Sequence, residues 1–173
     1  MRKITAGLFI SLDGVVEAPE TWHFPYFNEE MGQAVGAQME AADAMLLGRR
    51  TYDIFAAHWP QQDPDAEPMA KVMNATPKYV VSTTLTSPTW ENTTVISGDV
   101  TAELTRLKRL PGANIGITGS PTLVVALLRD GLLDELNLLV HPIVIGAGKR
   151  LFEDGIGQIP SRSPGRPSSA PAY

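Results

Sequence analysis

The stretch Leu46-Leu47-Gly48-Arg49-Arg50-Thr51 runs an apolar segment into a glycine, two guanidinium groups and a hydroxyl. Those residue types suit an anion. Backbone N–H groups at a helix start, together with the positive end of the helix dipole, bind phosphate or carboxylate. Arginine adds a planar fork of donors matched to phosphate oxygens. The same residues also read as two solvated loop arginines and a plain Thr51 N-cap. Thr118-Gly119-Ser120-Pro121-Thr122 repeats the order of strand, glycine, small hydroxyls and helix, and Ser82-Thr83-Thr84 follows a third apolar run. Each stretch alone is also what an ordinary turn looks like. Together they point to a nucleotide with several phosphates, because ligands of open α/β sheets lie beyond the carboxyl ends of the strands. Ser11-Leu12-Asp13-Gly14 sets a carboxylate at the end of a first strand, readable either as an Asp-Gly turn or as an acceptor facing the same crevice.

The elements that must hold these residues alternate. Ile4, Ala6, Leu8 and Ile10 have the period of a strand. Residues 17–28 carry two prolines and several aromatics without a period, which predicts a loop. Met31, Val35, Met39 and Ala42 predict a helix, and Ala44–Leu47 a strand buried on both faces. Thr51–His58 is expected to be helical, with a short helix around Met69–Met73. Strands follow at 79–82 and 94–97, then a helix carrying Val100, Leu104, Leu107 and Leu110. A strand at 115–118 leads to a helix from Pro121 to Gly131, where a proline in the first turn gives up no hydrogen bond. The last strand begins at Leu136 and is expected to continue through Ile143-Val144-Ile145. Strand and helix in alternation argue for an α/β domain over residues 1–157, with a mostly parallel central sheet and helices on both faces. Residues 158–173, rich in Pro and Ser, predict a disordered tail.

Composition narrows the functions. The chain has 173 residues, 43% hydrophobic and 19% charged, enough for one domain with a core. A net charge of -5 disfavours nucleic-acid binding through a general basic surface. Absence of cysteine excludes disulfides, thiolate metal sites and a cysteine nucleophile. His23, His58 and His141 lack metal-ligand spacing, so no metal is expected, and His141 reads as structural. Met1-Arg2-Lys3 leads into an alternating strand and no apolar run is long enough for a bilayer, so a cytoplasmic chain without a membrane partner is expected. Gly146-Ala147-Gly148-Lys149-Arg150 is not a phosphate-binding P-loop, because the upstream glycine spacing is wrong and Arg150 stands where a magnesium-binding hydroxyl is needed. No G-x-G-x-x-G follows the first strand.

Four segments resemble a known family: SLDGVVEAP at 11–19, LLGRRTYDIF at 46–55, YVVSTTL at 79–85, and IGITGSPTLVVALLRDGLLDELNLLVHPIVIGAGKRLF at 115–152. They resemble the dihydrofolate reductase-like superfamily, and more closely the C-terminal reductase domain of bifunctional riboflavin-biosynthesis proteins and its stand-alone bacterial relatives. The resemblance implies NADPH bound across the strand ends and hydride transfer to a flat, pteridine-like or aminopyrimidine-like substrate. It places Gly48, Arg49, Arg50 and Thr51 at the cofactor phosphates, and Ser82 and Thr83 near the adenosine 2′-phosphate. Gly119, Ser120, Pro121 and Thr122 fall at the pyrophosphate, and Ser11, Gly14, Val15 and Val16 beside the nicotinamide. Asp13 falls on the substrate side, as donor of a proton directly or through a water it holds. Trp22 and Phe24, with Tyr26, are candidates to stack on the substrate, or equally to pack a core or lid. NADPH is expected over NADH, since arginines and hydroxyls suit the additional phosphate. The family continues past Leu151-Phe152 with further strands, whereas here Gly155 leads into the Pro/Ser stretch. An open sheet edge and a homodimer are therefore expected. The zinc-ligand pattern of the deaminase half is absent, so the implied activity is that of a reductase alone. The alternative is a non-catalytic nucleotide- or flavin-binding protein of the same fold.

Overall fold

The computed structural model describes residues 1–161. The expected tail lies outside the described residues from 162 onward. Six strands form one sheet: β1 (Ile4–Ser11), β2 (Ala42–Gly48), β3 (Lys78–Val81), β4 (Thr93–Ile96), β5 (Asn114–Thr118) and β6 (Glu135–His141). Their order is β4-β3-β2-β5-β1-β6. Every pairing between them is parallel. The helices are α1 (Glu29–Glu40), α2 (Arg49–His58), α3 (Pro68–Ala75), α4 (Val100–Arg109) and α5 (Pro121–Arg129).

Period-2 alternation sorts the side chains into two layers. Ile4, Ala6, Leu8 and Ile10 of β1 pack with Leu46, Ile115 and Ile117 against Leu104 and Leu107 of α4 and Val124 and Leu127 of α5. On the other face Met45, Leu47 and Val80 meet Tyr52 of α2, Met73 of α3 and Trp90. Leu46 and Leu47, adjacent in sequence, thus serve opposite layers, and both are fully buried. Burying a leucine in this way contributes about 1.5–3 kcal/mol, and truncating Leu127 to alanine costs about 2–5 kcal/mol. Lys78 anchors β3 from inside. Its ammonium donates to the carbonyls of Asn74, Thr76 and Glu91 and lies 4.2 Å from the Trp90 ring centroid.

The topology defines where a ligand can sit. From β2 the chain passes through α2 to β3 on one side, and from β5 through α5 to β6 on the other. The helices after these two neighbouring strands therefore leave toward opposite faces. The crevice opened between their starts is the switch point at which ligands of parallel sheets bind.

Three expectations are corrected. Helix α2 starts at Arg49 with Gly48 as its N-cap, so Thr51 lies inside the first turn and does not cap. Strand β6 stops at His141 instead of running through Ile145: Pro142 has no N–H to give, and the Ile143 N–H turns back to the His141 carbonyl at 2.8 Å. The loop at 17–28 holds two 3-10 turns, Pro19–Thr21 and Phe24–Tyr26, each with proline in its first positions.

Candidate functional site

At the β2/β5 switch point the two anion-type turns interlock. The Ser120 hydroxyl accepts the Gly48 N–H at 2.8 Å and donates to Thr51 Oγ1 at 2.8 Å. Its hydrogen-bonding is committed, and Thr51 keeps its own hydroxyl proton for a ligand. The contact requires small residues. A Cβ on Gly48 would lie 3.3 Å from Ser120 Oγ, and one on Gly119 would lie 3.2 Å from Thr51 Cγ2. Gly119 also has φ +80, and Ser120 follows at φ 58, unusual for a residue with a side chain.

The helix starts at this crevice differ from the others. Asn28, Glu67 and Asp99 cap α1, α3 and α4 through side-chain acceptors. Neither α2 nor α5 has a side-chain cap. Their first-turn N–H groups and both dipole ends are left without a protein side chain to satisfy them.

Cationic groups surround the crevice. Arg49 holds Asp53 through Nε at 2.8 and 2.9 Å and reaches Thr84 Oγ1 with Nη1 at 3.3 Å. Ser82 Oγ accepts the N–H groups of Thr84 and Leu85, fixing the turn after β3 beside Arg49. Thr83 is exposed in that turn. Arg50 is largely exposed and lies 3.6 Å from a Glu17 oxygen. Lys149, which sequence reasoning passed over with the rejected P-loop, donates to Thr122 Oγ1 at 2.6 Å. It arrives there because residues 149–151 bridge antiparallel to 14–16: the Val16 N–H donates to the Lys149 carbonyl and the Leu151 N–H to the Gly14 carbonyl.

Of the two routes expected for Asp13, direct proton donation does not fit its surroundings. One carboxylate oxygen accepts the Ser11 hydroxyl at 2.7 Å and the Ile145 N–H at 3.1 Å, and the other accepts the Gly146 N–H at 2.8 Å. The Ser11 hydroxyl, then the two N–H groups, lower its pKa to about 2. Asp13 is ionised at neutral pH and has no proton to give; it ties the 143–146 turn to the end of β1. Ser11 and the N–H groups of Val15 and Val16 are engaged in the same framework, and both valine side chains are buried.

The two aromatic candidates separate. Trp22 is buried, donates its indole N–H to the Glu17 carbonyl at 2.9 Å and packs edge-on against His141. It is an internal brace and offers no free face for stacking. Phe24 is 67% exposed. Between them lies a cluster that the sequence did not reveal. His23 stacks on Phe9 at 4.6 Å and 17°, and His141 stands edge-on to both rings. Burial, and next the neighbouring His141, push the His23 pKa down. Among the described residues no group of three or more His, Cys, Asp or Glu could hold a metal ion, and no helix is long and apolar enough to cross a membrane.

Comparison with known proteins agrees with this architecture. The uncharacterized protein YyaP of Bacillus subtilis is 31% identical over 159 residues, 88% of this chain and 81% of its own length. The crystal structure of a Shewanella sp. PV-4 protein named for riboflavin biosynthesis superposes with a TM-score of 0.68 at 23% identity, covering 94% of this chain and 86% of that one. Dihydrofolate reductase from Enterococcus faecalis, in complex with NADP(H), gives 0.56 at 14% identity over 87% of this chain and 77% of that one. The structural likenesses show a dihydrofolate reductase-like fold. The family model for the RibD C-terminal domain matches residues 2–159, which span all six strands and the interlocked switch point, and the chain belongs to that family.

Proposed function

We propose that the chain is an NADPH-dependent reductase that transfers a hydride to a flat heterocyclic substrate. One observation carries this reading: the two helices without side-chain caps, α2 and α5, start side by side at the switch point of a parallel sheet. The donors present there fit a dinucleotide. Uncapped N–H groups of both helices and the free proton of Thr51 suit the pyrophosphate. Arg49 with the Ser82–Thr84 turn suits the 2′-phosphate, while Arg50 and Lys149 add positive charge at the rim. The bound nicotinamide would supply the hydride. The protein's part is orientation and exclusion of water. Since Asp13 is ionised, the accompanying proton comes from a water that its carboxylate orients. The substrate class is supported by family membership and by the riboflavin-biosynthesis name of a structural neighbour.

The same reading includes a homodimer. Among the described residues strand β6 is an edge, and its Leu138 and Val140 are exposed. Leu138→Lys is expected to shift the mass measured by light scattering from dimer to monomer.

Titrating the purified chain with NADPH and NADH, followed by calorimetry or tryptophan fluorescence, tests the reading. Saturable binding favouring NADPH, and NADPH oxidation with a pteridine or aminopyrimidine in a substrate panel, are expected. Absence of binding by folded protein would overturn it. Binding without turnover of any panel member would favour the non-catalytic alternative.

A further inference from the structure

The aromatic cluster at the ends of β1 and β6 is built as a box around a flat ring. Phe9 stacks on the His23 imidazole at 4.6 Å, Phe24 lies against it at 4.1 Å, and Phe27 and His141 stand nearly perpendicular to it at 5.7 and 6.0 Å. Two nitrogens in the box, His23 Nδ1 and His141 Nε2, are buried without a hydrogen-bond partner. In the neutral ring, the tautomer of His141 is set by its other nitrogen. Nδ1 lies 2.9 Å from the Leu139 carbonyl, which only accepts, so Nδ1 carries the proton and Nε2 presents a lone pair. A buried acceptor of the aromatic cluster lacks a donor, and buried polar groups without partners are rare.

The occupant of the box is not tied to the sheet by backbone hydrogen bonds. Among the described residues, the backbone hydrogen bonds of segment 18–27 stay within the segment: Thr21 to Ala18, Trp22 and His23 to Pro19, Tyr26 to His23, Phe27 to Phe24. Ring packing alone holds His23 to the sheet. The segment begins at Ala18 with φ 44, a strained conformation for alanine.

We propose that His23 is a plug standing in for substrate: a flat heterocycle bearing a ring N–H displaces it, stacks on Phe9 and donates to His141 Nε2. This deepens and rests on the reductase reading, and makes His141 a substrate-binding residue that selects for an N–H donor.

The test uses lumazine, a flat pteridine with ring N–H donors, and 1,3-dimethyllumazine, which lacks them. In the wild-type chain labelled with 15N-histidine, the His141 Nε2 resonance is expected at the position of an unbonded imidazole nitrogen. Lumazine should move it toward that of a hydrogen-bonded acceptor, and the dimethyl analogue should not. His23→Ala should bind lumazine about tenfold tighter, an effect of about 1.4 kcal/mol. His141→Phe should lose lumazine and keep the dimethyl analogue. An Nε2 already hydrogen-bonded in the free protein, which would mean a buried water, overturns the proposal. So does an unmoved resonance, or unchanged affinity in His23→Ala. NADPH titration of the same samples separates the two readings: NADPH binding without the lumazine response sinks the plug alone, and the lumazine response without NADPH binding sinks the cofactor assignment alone.

Discussion

The crevice between β2 and β5 and the box between β1 and β6 lie at the same end of the same sheet and are built on opposite plans. In the crevice the side-chain hydroxyls of Ser120 and Thr122 have partners within 2.8 Å, and two glycines let the turns touch. In the box, rings are in contact and two nitrogens are left unpaired. Hydrogen bonds fix geometry before a ligand arrives. Ring stacking is tolerant of which ring is present, as the proposed exchange of the box's contents requires. A site that handles one constant cofactor benefits from the first plan, and a site that admits and releases a variable partner from the second.

The largest effect is expected where the crevice is tightest. Gly119→Val places a branched side chain at φ +80 against Thr51 Cγ2. Strain of this kind costs about 1–3 kcal/mol before any steric clash. Urea unfolding should show the loss, and NADPH binding should fall at least about tenfold, as about 1.4 kcal/mol of misplaced contact would produce. Gly36→Ala in α1, whose Cβ would meet nothing within 4 Å, is the control. It should gain about 0.5–1 kcal/mol from helix propensity and leave NADPH binding unchanged. Equal behaviour of the two variants would mean that the crevice is not preorganised.

A pair of polar deletions sharpens the contrast. Ser120→Ala leaves the Gly48 N–H without its acceptor, a loss of about 1–3 kcal/mol. His23→Phe removes a nitrogen that has no partner and keeps a ring in the box. Its unfolding free energy is expected to stay level or rise by about 1 kcal/mol. A His23→Phe variant as unstable as Ser120→Ala would show that the His23 nitrogen does have a partner.

Much of this arrangement was legible in the sequence, and what was not is nonlocal. The spacing of Leu104 and Leu107 marked α4, the run Ala44–Leu47 marked a strand buried on both faces, and Gly48 and Gly119 marked turns. These are local properties of the chain. The insertion of β5 between β2 and β1 is a choice among pairings that hydrophobic period cannot rank. Asp13 was visible as a carboxylate at a strand end beside Ser11, whose hydroxyl does most to depress its pKa, but the two N–H groups that add to this come from residues 132 and 133 positions away. The motif around Lys149 fails as a P-loop, yet the antiparallel bridge between Val15 and the adjacent Arg150 carries Lys149 to Thr122. One of the two readings of Thr51 makes it an N-cap, because a hydroxyl before an amphipathic stretch usually caps. Tertiary contact with Ser120 uses it instead, and Gly48, with no side-chain acceptor, takes the cap position. His23 and His141 were each unremarkable in their own neighbourhoods; only the fold brings their rings within 6.0 Å.

Acid should separate the box from the Asp13 tie at the end of β1. The folded-state pKa of His23 is lowered from the ordinary 6.5 by burial and by His141, and Glu20 opposes this. Its neutral form is the one that fits, so its contribution is present above about pH 6.5 and is lost as pH falls toward the depressed folded value. Asp13, lowered from 3.8 to about 2, contributes above its unfolded value, and that contribution is lost as pH falls from near 3.8 toward 2. Urea midpoints measured from pH 7.5 downward should therefore fall in two steps. His23→Phe should abolish the upper step and keep the lower. A wild-type curve flat between pH 7 and 5 would mean that His23 titrates as freely folded as unfolded.

The smallest changes in stability and the finest discrimination belong to the two arginines that open α2. Arg49 forms an i,i+4 pair with Asp53 that is partly exposed, and Arg50 is 81% exposed beside Glu17. Replacing either with alanine should change the unfolding free energy by no more than about 0.5 kcal/mol. Their effects on ligand should diverge, because Arg49 reaches Thr84 in the turn that Ser82 fixes, whereas Arg50 pairs with Glu17. Arg49→Ala is expected to weaken NADPH about tenfold more than NADH, and Arg50→Ala to weaken both alike. Raising the salt concentration should shrink both losses, since exposed charges are screened over about 8–10 Å near physiological ionic strength. If Arg50 proved the discriminating residue, the 2′-phosphate would lie toward Glu17, and the turn after β3 would lose its place in the cofactor site.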